Sequence, residues 1–190
     1  MKGSLVKYVL RLSLTLLAVT ALVAAALAGV NALTDPLIKA HKAEKMQKAM
    51  EKVMPGANTF VPVEFKDETG TVKTVYIAEM EQGCLPCYVV EVAPAGFGGD
   101  ITMMVGIRND GQTVHAISVV SHTETAGLGS VAGANNSAGE AFREQFVGAT
   151  GPLAVDKDGG DIDSITSATI TSRAVVAGVN AALEAVKNLG

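Results

Sequence analysis

The stretch Ile101 to Ser121, ITMMVGIRNDGQTVHAISVVS, decides the fold. It holds two β-rich runs, Ile101 to Arg108 and Val114 to Ser121, separated by Asn109-Asp110-Gly111-Gln112, whose glycine suits a tight reversal, so it predicts an antiparallel hairpin. Upstream, Phe60 to Phe65, Val72 to Met80 and Tyr88 to Ala93 have the same character and predict further strands of one antiparallel sheet. Pro94-Ala95-Gly96-Phe97-Gly98-Gly99 reads as a loop whose glycines either turn the chain or let its backbone approach a ligand, turning being the expected role. Downstream, Ser137 to Phe146 has the spacing of a short helix and Ser172 to Leu189 that of a longer one. In the longer helix Val175, Val176, Val179, Ala182, Leu183 and Val186 fall on one face, so it should pack on the sheet. The expected class is α+β, an antiparallel sheet flanked by helices.

At the other end of the chain, Leu12 to Leu33 is a run of 22 residues without a charge, preceded by Lys2, Lys7 and Arg11 and followed by Asp35-Pro36. That is long enough for one transmembrane helix, and the basic flank predicts a cytoplasmic N-terminus. The rival reading is a cleaved secretory signal, since Ala26-Leu27-Ala28 before Gly29 suits a small-residue cleavage site; the run continues through Val30 and Leu33, long for such a signal. Ile38 to Met54 reads as a basic amphipathic helix stopped by Pro55-Gly56, on a membrane surface, on a partner, or as a solvated link. The expected organisation is a cytoplasmic tip and anchor over 1–35, a linker helix over 36–56, and an extracytoplasmic domain over 57–190.

Composition excludes several classes. A net charge of −4, pI near 5.4 and 4% aromatic residues do not suit nucleic-acid binding. The two cysteines, Cys84 and Cys87, form a Cys-Leu-Pro-Cys pair that is a redox disulfide, a pair of inert thiols, or part of a site shared with another protein. Asp156 to Asp163 is rich in aspartate, but position 12 of a calcium loop would be Ser167 rather than glutamate, so it reads as a solvated turn. His41, His115 and His122 show no metal-ligand spacing, no serine sits in a nucleophile elbow, and no metal site or independent catalytic residue is expected. Taken alone, Glu124 and His122 are ordinary surface or packed residues.

Asp163-Ser164-Ile165-Thr166-Ser167-Ala168-Thr169-Ile170-Thr171-Ser172 leads into the last helix. Hydroxyl-rich starts usually cap the first free N–H groups of a helix. The same groups, with the positive end of the helix dipole, also suit a phosphate, and small Ala168 would let one approach.

Here the chain resembles the FMN-binding subunits of the Rnf and Na+-translocating NADH:quinone oxidoreductase complexes. Their flavinylation motif is matched by Asp163, Thr166, Ser167, Ala168 and Thr169, with Ser167 where glycine is usual. Upstream, Glu124-Thr125-Ala126-Gly127-Leu128-Gly129 is similar to the family's Glu-Thr-Pro-Gly-Leu-Gly segment, with Ala126 in place of proline. The resemblance implies that a flavin transferase moves FMN from FAD onto Thr169 as a phosphoester, Thr171 being the fallback acceptor. It further implies that Glu124, Thr125, Gly127, Leu128 and Gly129 line the flavin. The implied role is a covalent-FMN electron carrier, without substrate turnover of its own, working among other membrane subunits of a Rnf-type ferredoxin:NAD+ oxidoreductase that exports Na+ or H+. Its implied place is the inner cell membrane, crossed once. The alternatives are the corresponding FMN-binding component of the quinone reductase, usually a longer chain, and a non-redox extracytoplasmic binding or assembly module.

Overall fold

Period-two alternation in the middle of the chain produces one antiparallel sheet whose strands lie in chain order: β1 (Ala57–Val63), β2 (Val72–Met80), β3 (Cys87–Val92), β4 (Thr102–Ile107) and β5 (Val114–Ser121). A computed structural model describes residues 2–63, 65, 69–80 and 87–189. The helices are α1 (Lys2–Val53), α2 (Ser137–Glu144) and α3 (Thr169–Lys187). The α+β expectation holds, and each expected strand is present. Cys84 lies outside the described residues, and Cys87 is half-buried on β3.

The turn between β4 and β5 forms for a reason legible in its residues. Gly111 adopts a φ of 67°, open to glycine at little cost. Asp110 accepts hydrogen bonds from the N–H groups of Gln112 and Thr113, both at 2.9 Å, and from the Thr113 hydroxyl at 2.5 Å. These bonds, the hydroxyl's first, hold the Asp110 carboxyl below its usual range.

Register then sorts the side chains. Val75 pairs with Val90, Val90 with Val105 and Val105 with Ile117, a buried row that faces α3. Val89 and Met104 point to the opposite face, where they meet Ala49, Val53 and Met54 from the end of α1. Both faces of β3 and β4 are therefore covered, which is why those strands read as nearly unbroken apolar runs. All six of the residues expected on the buried face of α3 are buried. Each Val or Leu so buried contributes about 1.5–3 kcal/mol, several times an exposed ion pair, so packing fixes the helix.

The chain divides into residues 1–44 and 45–190. In the first part, the side chains from Val6 to Ile38 include a long series of exposed Leu and Val residues, and the helix is long and apolar enough to cross a membrane. The anchor and the linker helix, expected over 1–35 and 36–56, are one continuous helix that runs through Pro36 to Val53. A proline removes one hydrogen bond, and the flanking turns persist here, with the Asp35–Lys39 ion pair at 2.6 Å spanning it. Its last part is not a solvated link: in the second unit, Ala49 and Val53 are buried against the sheet. The final helix starts at Thr169 rather than Ser172, and α2 ends at Glu144 rather than Phe146.

Gly106 of β4 permits the approach of α1. A Cβ placed there would stand 2.5 Å from the Val53 carbonyl oxygen. Gly106→Ala should lower stability by about 1–3 kcal/mol through overpacking, read as a shifted midpoint in urea unfolding.

Candidate functional site

β5 delivers Ser121 to the end of the sheet, and the chain continues through His122 and Thr123 to Glu124, a buried carboxylate. A buried carboxylate needs its lone pairs satisfied. One oxygen accepts from the backbone N–H of Gly98 at 2.8 Å, and the other accepts a short hydrogen bond from the Thr171 hydroxyl. Thr123 adds a second tie, donating its hydroxyl to the Gly98 carbonyl at 2.8 Å. Glu124 thus joins three separate segments: the glycine loop, the strand exit and the start of α3.

The glycine loop does more than turn, contrary to expectation. A Cβ on Gly98 would collide with the Thr123 carbonyl, and one on Gly96 with the Glu124 carboxylate. A Cβ on Gly99, whose φ is 144°, would lie 2.5 Å from the Thr123 hydroxyl oxygen. Only bare backbone fits so close. Gly129 plays the same part across the site, since a Cβ there would strike both Glu124 and Thr171. Arg143 of α2 secures the turn after Gly129 by donating to the carbonyls of Ala132 and Ala134 at 2.8 and 3.0 Å.

The start of α3 is not capped by its hydroxyl-rich approach. Ala168 occupies the cap position, with no side-chain cap, and the N–H groups of Thr169, Ile170 and Thr171 have no acceptor among the described residues. The nearby hydroxyls are used otherwise. Ser172 accepts from the Ile165 N–H at 2.9 Å and donates back to the Ala168 carbonyl at 3.1 Å, folding the approach against the helix. Ser167 has a φ of 61°, the left-handed conformation that glycine adopts more readily, which gives a backbone reason for glycine at this place in the motif.

These segments surround a cavity of about 350 Å³ lined by Phe97, Glu124, Thr125, Leu128, Gly129 and the five residues from Ser167 to Thr171. Eight of the residues singled out from the sequence therefore meet in one place. Gly127, Asp163 and Thr166 do not: they line a neighbouring groove with Val131, Phe142 and Gln145. The Asp163 backbone is held there by Gln145, which accepts from its N–H at 2.7 Å and donates to its carbonyl at 3.3 Å. Sequence reasoning missed Phe97 and Ile170, 68% and 52% exposed at the mouth of the cavity. An aromatic residue set between glycines was the available signal for Phe97.

The cavity has the size and largely apolar lining of a small-molecule site, and its polar groups include three free N–H donors at the positive end of a helix. That combination suits a flat apolar ring carrying a phosphate. Among the described residues no group of His, Cys, Asp or Glu is arranged to hold a metal ion. Behind the site, Asp156 accepts from Ser164, including its N–H at 3.0 Å, which brings its pKa down to about 2 from the ordinary 3.8.

Comparison with known proteins adds the following. The family described as FMN-binding domain matches residues 96–184. The G subunit of the ion-translocating oxidoreductase complex of Methanosarcina acetivorans is 32% identical over 182 residues, covering 94% of this chain and 94% of that protein. The G subunit of the Na(+)-translocating ferredoxin:NAD(+) oxidoreductase complex of Acetobacterium woodii is 32% identical over 199 residues, covering 96% and 94%. A solved structure from Parabacteroides distasonis, the C subunit of Na(+)-translocating NADH-quinone reductase, shares the fold, with a TM-score of 0.51 at 20% identity, covering 68% of this chain and 75% of that one.

Two measurements test the local geometry. Thr171→Val removes a donor from a buried carboxylate and should cost about 1–3 kcal/mol in chemical unfolding. For Asp156 the folded pKa lies below the unfolded one, so its contribution is present above the unfolded value and disappears as pH falls through about 2. Wild type should be more stable than Asp156→Asn at neutral pH, with the gap closing between the ordinary 3.8 and about 2 in acid titrations of thermal unfolding.

Proposed function

We propose, from the premise that this chain belongs to the family of G subunits of ion-translocating oxidoreductase complexes, that it carries FMN joined through its phosphate to Thr169. The observation that supports this most is the position of Thr169, first residue of α3, beside free N–H donors and on the wall of a cavity lined by both motifs. The proposed assembly is a membrane-bound ferredoxin:NAD+ oxidoreductase that moves Na+ or H+, in which this protein relays electrons. Bound FMN supplies the one-electron redox chemistry.

The chain's own residues supply position and environment. The N–H groups of Thr169, Ile170 and Thr171 would hold the phosphate. Leu128, Ile170 and Phe97 offer apolar surface to the ring, while Thr125 offers a hydroxyl. Glu124 and its two donors keep the walls in register, so the ring's distance from its electron partners does not vary.

Attachment would proceed by attack of the Thr169 hydroxyl oxygen on the flavin-side phosphorus of FAD, within a flavin transferase. The new O–P bond replaces the pyrophosphate bond, AMP leaves, and the hydroxyl proton is lost to a base of the transferase. Gly127, Asp163 and Thr166, in the adjoining groove, are then motif residues that face the transferase rather than the ring. The apolar helix would cross the cell membrane once with Lys2, Lys7 and Arg11 on the cytoplasmic side, leaving residues 57–190 as the extracytoplasmic flavin domain.

Mass spectrometry of the peptide from Asp163 to Arg173, taken from protein matured with the transferase, should find one added FMN on Thr169. Thr169→Ala should abolish flavin fluorescence of the denatured chain, and Thr169→Ser should retain it. Flavin still bound covalently to Thr169→Ala would overturn the assignment.

A further inference from the structure

The cavity is short of positive charge. Of the residues that line it, only Glu124 ionises, and it is acidic. A phosphate bridging FMN and Thr169 keeps one negative charge, close to a buried carboxylate, with only uncharged donors of the lining to balance it. In the first two turns of α3, TITSRAVV, a single cation occurs, Arg173.

Its position is suited to the task. Thr169 and Arg173 are four residues apart, so they share a helix face. Long helical side chains lean toward the N-terminus, which for Arg173 is the direction of the turn that begins at Thr169. Nor is its guanidinium loose. Asp158 accepts from Nε at 2.7 Å and from Nη2 at 2.6 Å, which fixes the plane of the fork. Each partner favours the charged form of the other, Asp158 lying below the usual carboxyl range and Arg173 above its own. Nη1 takes no part in that pair, so its N–H donors remain for a second anion.

Resting on the reading of Thr169 as the flavin carrier, we infer that Arg173 is the counter-cation of the attached phosphate and that Asp158 is the positioning residue that orients it. The phosphate accepts from Nη1 while Asp158 keeps Nε and Nη2. The pair is exposed, so by itself it adds little to the stability of the flavin-free chain. Its function emerges once the phosphate is in place.

The test compares loaded and flavin-free forms of wild type, Arg173→Gln, Arg173→Lys and Asp158→Asn, all matured with transferase and FAD. Flavin-free Arg173→Gln should melt within a few degrees of wild type. Loading should raise the melting temperature of wild type more than that of Arg173→Gln, and the phosphorus-31 resonance of the loaded variant should be displaced. Arg173→Lys, which retains the charge but loses the fork, should recover part of the gain. Asp158→Asn should fall between wild type and Arg173→Gln. Equal gains and an unchanged phosphorus resonance in Arg173→Gln would overturn the inference alone. A wild-type chain that accepts no flavin from the transferase would overturn the carrier reading and the inference together.

Discussion

The site depends on a buried carboxylate that must find donors. Glu124 cannot lie inside the protein unpaired, and the two donors it finds, the Gly98 N–H and the Thr171 hydroxyl, come from segments 26 and 47 residues away. That single requirement brings the glycine loop, the exit of β5 and the start of α3 to one point. The glycines follow from it, because Gly96, Gly98 and Gly129 each stand where any side chain would displace the carboxylate or its neighbours. Glu124 is thus fully engaged in holding the walls together.

Much of the fold was legible because its periods are simple. Alternation along Val72–Met80 and Val114–Ser121, the aspartate–glycine turn between β4 and β5, and the helical spacing from Val175 to Val186 each point to one answer. The end of α1 was less legible for a physical reason. Its lysines made Ile38–Met54 look like a solvated helix, yet in the second unit Met46, Ala49, Met50 and Val53 face the sheet. Charge density on one side does not reveal what covers the other. Pro36 lies inside α1 as well, since losing one backbone bond does not stop a helix whose flanking turns are otherwise complete.

The site was legible as two motifs and not as a shape. Glu124, Thr125, Leu128 and Gly129 meet Ser167, Ala168, Thr169 and Thr171 around one cavity, whereas Gly127, Asp163 and Thr166 turn toward another groove. Spacing along the chain cannot distinguish these sets, because the chain reverses its exposure at Ser167, through a backbone angle that sequence does not advertise. The start of α3 three residues early has a related cause. The cap position is held by Ala168, which has no side-chain oxygen, and so the first N–H groups have no acceptor among the described residues.

The neighbour-to-neighbour order of the sheet bears on when the protein becomes ready for use. Each strand pairs with the one just before it, so β1 to β5 can assemble by closing short loops as the polypeptide is made. The bond between Glu124 and Thr171 closes a far longer loop and needs the last helix of the chain. Loop-closure entropy therefore favours a sheet that forms first and a Thr169 that is presented last. Under the attachment proposed above, a hydroxyl displayed only by a finished domain would act as a checkpoint: the transferase would act on completed molecules and leave partial ones unmarked.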